Sequence, residues 1–251
     1  MNSKAITLVA YGLPALLIGA VLAFTILRPI QVLPRVGIGP GYGLIDVEGN
    51  RITNETMRGK IVLYSFTYTH CPQVCSTLME KMQAVRSRMA EISGQVGDLP
   101  VEIITISIDP ERDTPEKLAE YAAQYGATPE SNQTMIPWYF ITGNDPELTK
   151  IMVSVGFDLY HEKVPAASGD ANDYTYKFVP MVVLIDGWGI IRSEYRQYET
   201  SERLSYSEGR VDIDPDIVLR DIGLVSEEAN NSTGVASAAY GAAHLFLCYP
   251  P

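Results

Sequence analysis

Cys71-Pro72-Gln73-Val74-Cys75 is the segment of this 251-residue chain with the clearest chemical potential. The two cysteines, four positions apart, lie where an apolar run of strand length gives way to a helical pattern. At a helix N-terminus, backbone N–H groups and the helix dipole favour a thiolate over a thiol on the first cysteine. The i, i+4 spacing brings both sulfurs to one face of a helical turn, within reach of each other or of one metal ion. Soft thiolates select Cu(I), and Zn(II) less exclusively. The chemistry is therefore thiol–disulfide exchange or metal binding. A pair of buried, inert cysteines is the bland alternative, and a proline beside a cysteine at a helix start argues against it. The third cysteine, Cys248, is remote, and three cysteines are too few for a disulfide scaffold.

Few other residues can join such a site. The chain has three histidines. His70 adjoins Cys71 and is expected to point away from it. His244 lies in an apolar tail. His161, in the Gly/Asp/Tyr-rich stretch between Asp158 and Tyr176, is the best placed to add a third metal ligand, with an ordinary exposed loop histidine as its default. Asp109 opens the Asp-Pro-Glu-Arg-Asp loop at the end of a second strand. Sites in open α/β sheets gather at the carboxyl ends of strands, so Asp109 is a candidate proton acceptor or orienter, with loop capping as the alternative. Met79 and Met82 recur at helix-core spacing and are read as packing. A phosphate-binding glycine loop and a nucleophile elbow are both missing. Tyr64 and Tyr68 occupy positions where a peroxidase of related fold wants Pro and Thr/Ser.

Strands and helices alternate around these residues. Ile61–Phe66, Val101–Ile108, the segment beginning at Trp138, and Met181–Asp186 are continuous apolar runs, as expected of strands covered on both faces. Leu78, Met82, Val85 and Met89 mark a helix after the cysteines. Thr114-Pro115 and Gly126 bound another, with a good N-cap, a proline in the first turn and a glycine stop. A third helix follows Asn144, and a last one falls near Asp212–Val225. Glu48-Gly49-Asn50 suits a tight hairpin turn. The alternation implies an α/β domain with a mainly parallel central sheet flanked by helices.

A net charge of −11 disfavours nucleic acid, whose phosphates require Lys and Arg. Residues 5–27 carry no charge, between Lys4 and Arg28. At about 1.5 Å per residue they suffice to cross a bilayer core of about 30 Å. A signal peptide has a shorter apolar region and a small-x-small cleavage site, so an uncleaved anchor is expected. Disulfide cycling places the soluble domain on the exported side: periplasm, cell surface or intermembrane space. The layout is an anchor at 1–28, a Pro/Gly-spaced linker at 29–41, a soluble domain at 42–225 and a tail at 226–251. The tail's apolar stretch is short for a membrane span.

The segments Phe66–Cys75 and Ile106–Gly126, together with Gly43–Phe66 and the N-terminal anchor, closely resemble the SCO/SenC family, over roughly Gly39 to Arg196. The resemblance implies a thioredoxin-like fold with an inserted hairpin. It also implies a role at the dinuclear copper site of cytochrome c oxidase, delivering copper or reducing thiols. Cys71 and Cys75 would be copper ligands or the redox pair. The partner would be the oxidase's copper-site subunit or another thiol-bearing protein. One departure stands out. The family's metal-ligand histidine falls at Phe178, which cannot ligate, so a metal-independent thiol–disulfide oxidoreductase is the alternative function. Pro180, directly before a strand, resembles the cis-proline beside the cysteines of thioredoxin-like reductases; a trans proline at a strand start is equally allowed.

Overall fold

The computed structural model describes residues 10–16, 18–19, 21–23, 30–166, 173–196 and 213–247. The chain divides into two compact units, Arg35–Asn230 and Met1–Pro34 with Asn231–Pro251.

In the larger unit, apolar strand-length runs build the centre of one eight-stranded sheet. Strands β1 (Gly37–Ile38), β2 (Gly43–Asp46), β3 (Arg51–Thr53) and β4 (Ile61–Thr67) lead to helix α1 (Gln73–Arg88). Then come β5 (Val101–Ser107), α2 (Pro115–Gln124), β6 (Trp138–Thr142) and α3 (Pro146–Ile151), which a short π-helical segment extends to Gly156. Strands β7 (His161–Pro165), β8 (Tyr174–Phe178), β9 (Met181–Ile185) and β10 (Ile190–Arg196) precede α4 (Pro215–Asn230). The sheet order is β1-β10-β9-β4-β5-β6-β2-β3, while β7 and β8 form a separate two-stranded sheet.

Helices α1 and α2 carry the chain across the sheet, so β4, β5 and β6 run parallel, in register from Ile61↔Val101 to Thr67↔Ser107. Every other pairing is antiparallel. The sheet is therefore mixed, which corrects the expected mainly parallel arrangement. Two of these pairings, β9–β10 and β2–β3, follow from short connections. Between β9 and β10 the Asp186 carboxylate accepts from Trp188 N and Ile190 N, and Gly189 turns the chain at φ 78°. Between β2 and β3, Asp46 accepts from Glu48 N and Asn50 N, with Gly49 at φ 83°. Connections this short cannot cross over, so each makes a hairpin. The stretch expected as a loop at 158–176 likewise holds β7 and β8, paired from His161↔Phe178 to Pro165↔Tyr174. Gly37–Ile38, within the expected linker, is a strand bonded to β10.

Packing follows the pattern of apolar positions. β4, β5 and β9 are buried at every residue. α1 turns Cys75, Leu78, Met79, Met82 and Val85 inward, so both methionines are core residues as expected. Thr114 caps α2 by accepting from Lys117 N, with Pro115 at its start and Gly126 at φ 70° beyond its end. Asp145 caps α3. α4 is held to the sheet by Val218, Leu219, Ile222 and Val225, and by a buried ion network. In it Arg192, wholly buried, contacts Asp186 at 3.1 Å and Glu228 at 2.6 Å.

In the smaller unit, residues 10–16, 18–19 and 21–23 are helical, and α5 (Gly234–Leu247) follows Asn231. Among the described residues no helix is long and apolar enough to cross a membrane. The expected anchor at 5–27 lies partly outside the described residues.

Candidate redox site at the start of a helix

The site begins where β4 stops. Beyond Thr67 the chain turns over Tyr68–Cys71, closed by Cys71 N donating to the Tyr68 carbonyl at 3.1 Å. Pro72, with φ fixed at −67°, is the N-cap of α1, and Cys75 N donates to its carbonyl at 3.1 Å. Cys71 and Cys75 are joined in a disulfide with Cα atoms 5.9 Å apart. Their surroundings differ. Cys75 is 1% exposed, in the core, whereas Cys71 is half-buried against that core's edge. The first turn of α1 has no acidic residue and no capping side chain, so nothing there offsets the positive end of the helix dipole.

The cysteine turn is pinned on two sides. Tyr68, fully buried, bonds Thr175 Oγ1 at 2.7 Å and accepts from Tyr176 N at 3.1 Å, tying the turn to β8. Its ring meets those of Tyr176 and Phe178 edge-on, at 5.4 and 6.2 Å. On the other side, Thr69 donates to the Asp113 carboxylate from Oγ1 at 2.5 Å and from its backbone N at 3.1 Å. Asp113 is wholly buried and also accepts from Ser107 Oγ at 2.6 Å. Burial pushes its carboxyl above the usual range, against the pull of these donors.

Asp109 is also wholly buried, but it faces the hairpin. Its carboxylate accepts from Arg112 Nε and, at 2.8 Å, from Tyr174 OH, and its backbone N donates to Ser107 Oγ. Arg112 stacks on the Tyr174 ring, 3.6 Å from its centre. The Asp-Pro-Glu-Arg-Asp loop thus bridges the cysteine turn, through Asp113, and the β7–β8 hairpin, through Asp109. Thr69, Ser107 and Tyr174, which complete this bridge, were not singled out from sequence. Residues of these types are common, and only the fold brings them together.

The structure places the other candidates as follows. His161 lies on β7 opposite Phe178, with Nδ1 3.3 Å from the Leu159 carbonyl. It lines a cavity of about 420 Å³ with Ile108, Glu111, Glu147, Lys150 and Tyr176, to which neither cysteine contributes. Burial, with Lys150 adding, holds its imidazole below the usual pKa. His70 is exposed, its Nδ1 3.0 Å from Thr69 Oγ1. Phe178 is 3% exposed in the core. The Val179–Pro180 peptide is trans, like every peptide among the described residues, and Val179 N donates to the Tyr160 carbonyl at 3.3 Å. Of the two isomers allowed by sequence, the strand-start reading is the one found. Among the described residues no three His, Cys, Asp or Glu side chains are grouped to hold a metal ion. The soft donors at the site are the two cysteines.

Residues 33–207 match the SCO1/SenC family model. The chain is 29% identical over 182 residues to protein sco1 of Schizosaccharomyces pombe, a match covering 72% of this chain and 64% of that protein. It therefore spans less than two thirds of that relative's length. Among solved structures, Arabidopsis thaliana ScoI with copper bound superposes with a TM-score of 0.57 at 25% identity, over 77% of this chain and 99% of that one. Bradyrhizobium japonicum ScoI with copper bound gives 0.53 at 27% identity, over 74% and 97%. The α/β fold thus matches the thioredoxin-like structures of Sco proteins, and with the family model covering most of its length this chain belongs to the SCO1/SenC family.

Proposed function

We propose that this chain acts in assembling the copper site of a respiratory cytochrome c oxidase by thiol–disulfide exchange at Cys71 and Cys75. The observation that carries the reading is the disulfide at the start of α1, with one cysteine at the surface edge and the other in the core. That asymmetry assigns the roles. In the reduced chain the accessible Cys71 thiolate attacks a partner's disulfide, forming a mixed disulfide and releasing one partner thiolate. Cys75, held in place by α1, then attacks the Cys71 sulfur. The second partner thiolate leaves, and the intramolecular bridge forms as seen here. Two electrons pass to the partner, and the two protons given up by the cysteines balance those taken up by the partner's thiols.

Copper enters as cargo. Reduced Cys71 and Cys75 supply two soft thiolates suited to Cu(I). Phe178 stands at the position where the family resemblance puts a histidine ligand, and its burial in the core leaves no donor there. Two sulfurs without a histidine at position 178 favour weaker, more readily transferred Cu(I). A charge-free segment at 5–27 supports tethering to a membrane, with the folded unit in the exported compartment.

The test combines two measurements on the purified chain with Cys248 replaced by serine. Equilibration in glutathione buffers gives the potential of the pair. Cys75→Ser, which lacks the resolving thiol, should trap a mixed disulfide on Cys71 with an oxidised peptide carrying the oxidase's two copper-site cysteines. A pair that fails to cycle, or trapping on Cys75 of Cys71→Ser in preference to Cys71, sinks the proposal. Cu(I) competition with a chromogenic chelator should show one equivalent bound by the reduced chain and none by the oxidised chain.

A further inference from the structure

The turn that delivers Cys71 has four residues, Tyr68 to Cys71, closed by the Cys71 N to Tyr68 carbonyl bond. Its first two residues carry the anchors already described: Tyr68 to β8, and Thr69 to Asp113. At the helix start, Pro72 as N-cap offers no side-chain bond. Asp113 is well suited to hold the turn, because its carboxylate takes three donors, two of them from Thr69, and is itself fixed by Ser107 on β5. The Asp113 backbone N is also bonded, to the Asp109 carbonyl at 2.9 Å.

We infer that Thr69 and Asp113 are positioning residues for the cysteine pair, holding the turn so that the Cys71 sulfur stays within bonding reach of Cys75 after reduction. The inference rests on the thiol-exchange reading above. A dithiol already held in bridging geometry loses less freedom on closing, so its disulfide is more stable and its potential lower. Releasing the turn leaves the oxidised form tied by its covalent bond but frees the reduced form. The equilibrium then moves toward the dithiol.

The experiment measures the equilibrium constant of the pair against glutathione for the full chain, Cys248→Ser, and for Thr69→Val, Thr69→Ser and Asp113→Asn in that background. Thr69→Val removes the hydroxyl donor while keeping shape, and Thr69→Ser keeps the donor. Thr69→Val should lower the disulfide-forming constant about tenfold, a rise in potential of about 30 mV. Thr69→Ser should stay within about twofold of the parent, and Asp113→Asn should follow Thr69→Val or exceed it. Melting temperatures of oxidised and reduced forms supply the control. A purely structural contact destabilises both forms equally and leaves the constant unchanged. Equal losses with an unchanged constant in Thr69→Val overturn the inference, as does a shift that Thr69→Ser shares. Should Asp113→Asn not fold, the Thr69 pair decides alone. A parent chain that never cycles fails the functional proposal instead, and a cycling parent with unaffected variants fails only this inference.

Discussion

Reducing the Cys71–Cys75 bridge should lower the melting temperature by about 5 °C. The bridge joins residues at a sequence separation of 4, so it closes a loop of about five residues. The chain-entropy relation for so short a loop gives about 2 kcal/mol of stabilisation, through restriction of the unfolded chain. For a folded unit running from Arg35 to Asn230, about 200 residues, unfolding entropy of about 2.1 cal/mol/K per residue means about 0.4 kcal/mol for each degree. Dividing gives the 5 °C. No packing loss is added to this figure, because Cys75 sits in the core with 1% exposure and its thiol is expected to keep those neighbours when the bond opens. The measurement is calorimetry of the chain with and without a phosphine reductant, in a Cys248→Ser background, with Cys71→Ser/Cys75→Ser as the reductant-insensitive control. Alkylation of the reduced form at native pH should reach Cys71 at least about tenfold faster than Cys75, since only Cys71 has surface access. The reasoning is refuted if the reductant leaves the melting temperature unchanged, or if both thiols react at one rate.

Phe178→His should raise Cu(I) affinity of the reduced chain by restoring the ligand position that the family resemblance indicates, at a stability cost on the order of 2–3 kcal/mol for the lost core ring. Unchanged affinity in chelator competition would show that position 178 is not at the copper ligands. His161, whose pKa burial lowers, takes up its proton more readily in the unfolded chain. Its contribution to stability therefore falls as pH drops below about 6.5, the ordinary histidine value, toward its lower folded-state pKa. Denaturation midpoints between pH 7 and 5 should show this decline, and His161→Gln should flatten it. Glu228→Gln should cost on the order of 3 kcal/mol, because wholly buried Arg192 then loses the charge of the carboxylate it contacts at 2.6 Å. A urea midpoint that does not move would show that the network contributes little.

The cysteine turn was legible in the sequence because its signals are local. A continuous apolar run, a cysteine pair at i, i+4 with a proline between, and helical spacing in Leu78, Met82 and Val85 depend only on near neighbours and the period of the backbone. These residues by themselves determined the strand–turn–helix unit, the nearness of Cys71 to Cys75 and the α2 boundaries at Thr114 and Gly126, whereas the disulfide itself came from the structure. They did not determine sheet direction. The hairpins at Asp46–Asn50 and Asp186–Ile190 made β2–β3 and β9–β10 antiparallel, while β1–β10, β4–β9 and β2–β6 pair strands far apart in the chain, whose directions only the tertiary structure decided. Nor did they reveal the bridge from Thr69 through Asp113 and Ser107 to Asp109 and Tyr174. Its members come from different elements, up to 65 positions apart in the Tyr174–Asp109 bond, and are unremarkable one by one. Which carboxylate faces the cysteine turn was likewise a tertiary matter. Asp109 and Asp113 share one loop, yet the turn after β5 sends the first to the hairpin and the second to Thr69, because each bends to the donor that satisfies its buried charge.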